Sequence, residues 1–140
     1  MIIAGPVHEG DTEYFASLVE PYIDGRNIQY VGPVVGAMKA DLYQHALGML
    51  MPIGWEEPLG LVAVEAQDLG TPVLAFRRGA LPEIVVSGVT GHLSNSTADM
   101  AEQVELLSGI DRESCATSAP NRFIPDRMAR ECLDLYKTLI

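Results

Sequence analysis

The sequence predicts an α/β fold built on a doubly wound parallel sheet, and three observations support this prediction. Short apolar runs alternate along the chain with longer segments whose apolar residues recur at helical spacing. A single helix separates each strand from the next, which requires parallel pairing and right-handed crossovers. The run at 47–53 is apolar throughout, as expected of a strand buried on both faces. The length of 140 residues fits a single domain, residues 1–140.

The strands and helices are assigned in chain order from these patterns. Gly5-Pro6 ends the first apolar run, Asp11 is the expected N-cap of the first helix, and Pro21 is expected to end or kink that helix. The strands are predicted at 1–5, 28–32, 47–53, 72–76 and 91–94, and the helices at 11–23, 36–46, 59–69, 81–86, 98–108 and 125–138. Ligands bind outside the carboxyl ends of such strands, so the loops at 34–39, 55–60 and 77–83 are expected to converge.

Charge and cysteine content limit the possible partners and compartments. A net charge of −10 argues against nucleic acid, whose phosphates require clustered basic residues. Cys115, assigned to a connecting stretch, and Cys132, assigned to a helix, indicate reduced thiols and a cytoplasmic protein. The three histidines are scattered, so no metal site is predicted. No apolar run has the length of a membrane span, and only peripheral attachment of a longer parent protein to a membrane stays open.

The densest group of candidate functional residues lies at 55–73. Pro58 and Gly60 stand where a helix begins, and Gly60 has no Cβ to keep a ligand from the backbone. The amides of Gly60, Leu61 and Val62 are expected to point outward at the positive end of the helix dipole, which would suit a phosphate. On this feature alone, an ordinary buried helix with a Pro-Gly entry is the better explanation.

Two carboxylates accompany this helix. Glu65 shares an apolar helical face with Leu61 and Leu69, so it should be partly buried and in need of hydrogen-bond donors. Glu57 lies in the preceding loop. Because carboxylates repel phosphate, the pair would instead hold neutral hydroxyls on either side of a diphosphate, those of a sugar and of a ribose. The alternatives are a Glu65 that reaches solvent or a distant arginine, and a Glu57 that is a surface carboxylate like Glu56.

Several short motifs support one interpretation of these residues. The spacing from Glu57 to Glu65 is E-x7-E, and the other motifs are VGPV at 31–34, MP followed by WEEP-x-G at 51–60, EA followed by GTPV at 65–73, GA-x-PE at 79–83 and G-x-TGHL at 88–93. Together they resemble the retaining GT-B glycosyltransferases, most of all glycosyltransferase family 4 (group 1). The resemblance runs nearly end to end and is to the C-terminal, nucleotide-sugar-binding half of such enzymes, a Rossmann-like domain.

The resemblance implies a role for each candidate residue in binding a nucleotide diphosphate sugar. Glu65 would hold the ribose hydroxyls, and Glu57, the catalytic candidate, would hold hydroxyls of the transferred sugar. The amides of Gly60, Leu61 and Val62 would meet the diphosphate or the sugar. The reaction implied is transfer to an acceptor hydroxyl with retention of configuration, without a divalent metal or other cofactor.

Three further residues have weaker assignments from the same resemblance. Val34 would lie against the base and Lys39 would approach the nucleotide. A core role for Val34 and a solvated helical position for Lys39 remain alternatives. Glu83 matches the Pro-Glu pair of the family, although a capping role explains it equally well.

The chain also departs from the family pattern. Gln67, Asp68 and Leu69 replace a small apolar stretch, which predicts altered packing, and Leu59 replaces a common Phe. The Arg and Lys that bind the diphosphate in an earlier loop have no counterpart, nor does the acceptor domain. The expectation is therefore a fragment of a two-domain enzyme that lacks its first βα unit and is inactive alone. The other two interpretations are half of a GT-B sugar-nucleotide epimerase and a non-catalytic nucleotide-sugar-binding module.

Overall fold

The structure, a computed structural model, describes residues 1–118 and 123–139 and contains two compact units, Met1–Lys39 and Ala40–Ile140. Each unit holds one parallel sheet, so the predicted α/β class with parallel strands is confirmed. The strands pair in two sheets, however, where the sequence predicted one continuous sheet.

The unit Met1–Lys39 is built on two short strands. Strand β1 (Ile2–Ile3) pairs in parallel with β2 (Gln29–Tyr30), and helix α1 (Thr12–Leu18) connects them. The predicted helix at 11–23 is shorter because 3-10 turns flank α1 on both sides, one of which contains Pro21. Asp11 is the N-cap residue of α1, as predicted, but its side chain makes no capping hydrogen bond.

The unit Ala40–Ile140 has a three-stranded sheet in the order β3-β4-β5, all parallel. These strands are β3 (Met49–Met51), β4 (Val73–Phe76) and β5 (Gly91–Ser94). The helices that follow α1 along the chain are α2 (Gly36–His45), α3 (Leu61–Asp68), α4 (Leu81–Ile84), α5 (Thr97–Gln103), α6 (Arg112–Ser118) and α7 (Pro125–Thr138). No helix in residues 1–118 and 123–139 is both long and apolar enough to cross a membrane.

Two of these elements differ from the sequence prediction. The helix expected at 98–108 is α5 followed by 3-10 turns at Val104–Gly109. Helix α6 has no counterpart among the predicted helices. Cys115, predicted in a connecting stretch, lies in α6 and is fully buried. The sequence of α6 has few apolar residues, so its helical periodicity is weak.

Strand β4 divides the core of this unit into two clusters because alternate side chains point to opposite faces. Val73 and Ala75 pack with α3 and α4, while Leu74 packs with Met100 and Leu107 on the other face. All three β4 side chains are fully buried. Because β3 and β4 are parallel, the loops that follow them leave the sheet at the same edge.

Arg112 fixes the C-terminal end of α2. Its guanidinium donates to the carbonyl oxygens of Ala46 at 2.7 Å and Gln44 at 2.9 Å, and to Thr71 Oγ1 at 3.0 Å. The Thr71 hydroxyl in turn donates to the carbonyl of Tyr43. A helix leaves its last carbonyls without intrahelical partners, and a cation stabilises the negative end of the helix dipole there. The side chains of Arg112 and Thr71 therefore act together as a C-cap.

Candidate functional site

The carboxylate of Glu57 is held at the start of α3 by backbone and side-chain donors. The backbone N–H of Gly60 donates to Oε1 at 2.9 Å, and the indole N–H of Trp55 donates to Oε2 at 3.0 Å. These donors favour the charged form, so they lower the pKa of Glu57, with the Gly60 amide as the largest cause. Glu57 is half-buried and lies in the loop after β3. The site therefore contains an ionised carboxylate in a fixed position.

Gly60 has a role that the sequence prediction described incorrectly. Its amide was expected to face a ligand, but it donates to Glu57 instead, because Glu57 lies three residues earlier in the same loop and its side chain reaches this N–H. Gly60 adopts a left-handed φ of 63°. A Cβ at this position would lie 2.8 Å from Ile84 Cδ1 and 3.2 Å from Leu81 Cδ2. Gly60 therefore allows α4 to pack closely against the first turn of α3.

The backbone amides of Leu61 and Val62 lie in the first turn of α3. Within residues 1–118 and 123–139, neither N–H has a hydrogen-bond acceptor, as expected of the first turn of a helix. Both side chains are exposed to solvent. At the positive end of α3, the N–H of Gly60 is thus bound by Glu57, and the N–H groups of Leu61 and Val62 can donate to a ligand.

The loops at 55–60 and 77–83 are joined by their backbones. The N–H of Ala80 donates to the carbonyl oxygen of Glu57 at 2.7 Å, and the N–H of Gly79 donates to Glu56 Oε2 at 2.6 Å. The approach is so close that a Cβ on Gly79, whose φ is 53°, would lie 2.2 Å from the carbonyl oxygen of Glu57. These two loops converge as the sequence predicted.

Glu56 is a site residue that sequence reasoning missed. It was treated as an ordinary surface carboxylate, yet it accepts a hydrogen bond from Gly79 and lies 3.7 Å from Arg78 Nη1. Its partner Gly79 is 23 residues away along the chain. The only feature of the sequence that drew attention to Glu56 was the neighbouring Glu57. Nothing in the sequence indicated that Glu56 would bind Gly79.

Glu65 lies on α3, one residue before the buried Ala66. It is half-buried, in agreement with the predicted partial burial. Its backbone lies four residues beyond Leu61, a rise of about 6 Å along the helix axis. Glu65 and the Glu57 carboxylate are therefore separated along α3 by its first turn, which contains the available amides.

Val34 and Lys39 belong to the unit Met1–Lys39. Val34 is half-buried just before α2, and Lys39 is half-buried in the first turn of that helix. The approach of their loop to the other two stays a prediction. Glu83, in contrast, is exposed on α4.

The family profile described as "Glycosyl transferases group 1" matches residues 1–122. The chain belongs to this family. Membership in the group 1 glycosyltransferases confirms the resemblance that the motifs indicated, and the α/β fold with parallel strands is that of the C-terminal domain of GT-B glycosyltransferases.

Relatives of this group 1 chain include proteins named as glycosyltransferases. A D-inositol 3-phosphate glycosyltransferase of Actinosynnema mirum is 35% identical over 117 residues, which are 78% of this chain and 28% of that protein. An uncharacterized 41.2 kDa protein in the cps region of Klebsiella pneumoniae is 33% identical over 123 residues, 83% of this chain and 34% of that protein. The chain thus spans about a third or less of these relatives.

Solved structures share the fold over nearly the whole chain. AviGT4, a glycosyltransferase involved in avilamycin A biosynthesis, matches with a TM-score of 0.78 and 30% identity, over 99% of this chain and 42% of that one. Anabaena Alr3699/HepE in complex with UDP matches with a TM-score of 0.83 and 20% identity, over 98% of this chain and 40% of that one. A further structure of HepE contains UDP-glucose.

Proposed function

We propose that the chain is the donor-binding half of a retaining glycosyltransferase, which transfers a sugar from a nucleotide diphosphate sugar to an acceptor hydroxyl. The observation that carries the proposal is the carboxylate of Glu57, fixed in its charged form beside the N-terminus of α3. The UDP and UDP-glucose bound to the structurally similar HepE support a nucleotide sugar as the ligand class.

The diphosphate would bind at the first turn of α3. The amides of Leu61 and Val62 would donate to its oxygens, while the amide of Gly60 contributes indirectly by holding Glu57. Glu57 Oε1 accepts from Gly60 and Oε2 accepts from Trp55, and a carboxylate with about four acceptor sites keeps capacity for a sugar hydroxyl. Glu65, beyond the first turn, would accept from the ribose hydroxyls.

Two further residues carry proposed roles in binding the nucleotide. Val34 would contact the base and Lys39 would approach the nucleotide. In the reaction, the bond from the anomeric carbon to the diphosphate oxygen breaks, and the acceptor oxygen bonds to the same face of that carbon. The protein would contribute positioning and stabilisation of the leaving diphosphate. Helix amides and cationic side chains would serve this role without a divalent metal.

The acceptor would be bound by another part of a longer, cytoplasmic parent protein. The chain spans 28% of the Actinosynnema relative and 34% of the Klebsiella relative, which supports this division. We therefore expect no transfer of sugar by the 140 residues alone. With a net charge of −10, they should bind a nucleoside diphosphate only in the millimolar range, about −4 kcal/mol. Micromolar affinity or measurable turnover would contradict this expectation.

Two substitutions in the full-length parent test the assignment of the carboxylates. Glu65→Ala should weaken binding of both UDP and UDP-glucose, whereas Glu57→Ala should weaken binding of UDP-glucose and turnover but leave UDP binding nearly unchanged. Each loss should be about ten- to a hundredfold, the value of one charged hydrogen bond. Calorimetry with the two ligands measures both effects.

Glu102→Ala is the matched control, because it removes one exposed carboxylate from α5. It should change neither affinity. Equal effects of Glu57→Ala and Glu65→Ala on UDP alone would reject the proposed division between sugar and ribose.

A further inference from the structure

We propose that Glu56 is a positioning residue for Glu57: by accepting the N–H of Gly79, it holds the loop at 77–83 against the backbone of Glu57. The contribution of Glu56 to donor binding rests on the proposed function. Its effect on the geometry of Glu57 does not, and the two can be tested separately.

Two hydrogen bonds join the loop at 77–83 to residues 56 and 57. The charged carboxylate of Glu56 accepts from Gly79 N at 2.6 Å, and hydrogen bonds to an ionised acceptor are stronger than neutral ones. The next residue, Ala80, donates to the carbonyl oxygen of Glu57 at 2.7 Å. Consecutive residues of one loop are thus bound to consecutive residues of the other. Releasing Gly79 from Glu56 would also loosen Ala80 from Glu57.

The side chain of Glu57 depends on this backbone position. Its carboxylate reaches Gly60 N and Trp55 Nε1 at the same time, one with each oxygen. A small displacement of the Glu57 backbone would lengthen at least one of these bonds, and hydrogen bonds weaken steeply away from good geometry. Glu56 therefore acts on the carboxylate through the backbone, without touching it.

The ion pair of Glu56 with Arg78 is secondary. Its N···O distance is 3.7 Å, and the two side chains are 73% and 48% exposed. Exposed pairs of this kind contribute little. The other charged groups on the segments packed around Glu57 are Arg77 in the loop at 77–83, Glu65 and Asp68 on α3, and Glu83 on α4.

Trp55 provides a direct measure of the position of Glu57. It is the only tryptophan in the chain, and its indole N–H donates to Glu57 Oε2. The indole group therefore gives one cross-peak in a ¹⁵N–¹H correlation spectrum. The proton shift of that peak reports on the hydrogen bond. Glu57→Ala marks the shift of the peak when the bond is absent.

The experiment compares Glu56→Ala with Glu56→Gln in this chain at constant pH. Glu56→Ala should move the indole peak most of the way toward its position in Glu57→Ala, and the Gly79 amide should exchange faster with solvent. The amide oxygen of Glu56→Gln can still accept from Gly79, so this variant should keep the peak near its wild-type position. Arg78→Ala should leave the peak unchanged, as should Glu102→Ala on α5.

An indole peak that stays in place in Glu56→Ala overturns the proposal. A Gln variant that behaves like the Ala variant also overturns it, because the charge and not the Gly79 bond would then matter. Dispersion of the amide peaks shows whether each variant is folded. Should Glu56→Ala unfold, Glu56→Asp keeps the charge but withdraws the acceptor, and it must shift the indole peak in the same direction.

Calorimetry with UDP-glucose on the same variants in the full-length parent separates this proposal from the proposed function. Glu56→Ala should weaken binding about three- to tenfold, with Glu56→Gln restoring most of it. If Glu57→Ala itself leaves the affinity for UDP-glucose unchanged, the assigned role of Glu57 fails. The indole shift would still decide the positioning role of Glu56.

Discussion

Replacing Gln67 with Met should stabilise the unit Ala40–Ile140. Gln67 lies on α3 and is 0% exposed. Among the residues that the structure describes, neither its side-chain oxygen nor its nitrogen has a hydrogen-bond partner. Folding therefore transfers a whole amide group from water to an apolar interior without compensation.

The magnitude follows from the penalty of such a burial. Protein mutational data place an unsatisfied buried polar group at about 1–3 kcal/mol. Met has a similar length, no strong hydrogen-bonding atom and a flexible shape, so Gln67→Met should recover about 1–3 kcal/mol. For a folding unit of about 100 residues, each kcal/mol raises Tm by roughly 4–8 °C.

Urea unfolding followed by Trp55 fluorescence measures this change, because the only tryptophan lies in the same unit as Gln67. The matched control is Gln103→Met. Gln103 donates to Asp99 Oδ1 at 2.7 Å and accepts from the buried Ser94 hydroxyl at 2.9 Å, so its replacement should destabilise the unit. A Gln67→Met variant less stable than wild type would show that the reasoning about Gln67 is wrong.

Three further changes should have measurable outcomes. Arg112→Ala should lower the free energy of unfolding by about 2–4 kcal/mol, because it removes several charged hydrogen bonds from the C-cap of α2, and Arg112→Lys should recover only part of this in urea titrations. Gly79→Ala should destabilise the chain more than Gly88→Ala: both glycines have a positive φ, but only at Gly79 would a Cβ meet a neighbouring atom, and thermal unfolding compares the two. The amides of Arg26, Asn27 and Ile28 lower the pKa of Asp24, chiefly through Ile28. The ionised Asp24 carboxylate should thus stabilise the fold fully above the unfolded-state pKa of about 4, and this stabilisation should be lost as the pH drops through the lower folded-state pKa. The effect of Asp24→Asn on amide exchange in Met1–Lys39 should therefore shrink in acid.

The sequence predicted most elements with a strong apolar pattern and missed interactions between distant residues. Strand β4 and helix α3 lie within their predicted ranges, since their patterns are unambiguous. Helix α6 was missed because its stability comes from burying Cys115 against the sheet and from Arg112 at its start, and both partners are distant in sequence. Local reasoning fails where tertiary contacts decide the structure.

In the candidate site, too, the sequence revealed residues within one segment and missed contacts between distant segments. The carboxylates of Glu57 and Glu65 could be identified because they lie at one helix, within one continuous segment. The bond from Gly60 to Glu57 was within reach of local reasoning, since both residues lie in one short loop and side-chain acceptors often bind nearby backbone N–H groups. The link from Glu56 to Gly79 depends on the fold of two loops, and no pattern within either loop predicts it.

The burial of Val73, Leu74 and Ala75 in β4 also has a consequence for the unfolded chain. A short, uncharged segment of β-forming and apolar residues such as Val73–Phe76 is prone to pair with copies of itself whenever it is exposed, as it is during synthesis. Pro72 precedes this segment, and Arg77 and Arg78 follow it. Proline and like charges at the ends of an apolar strand oppose its stacking into aggregates. The two arginines therefore act as gatekeepers that protect the nascent chain before the helices cover β4.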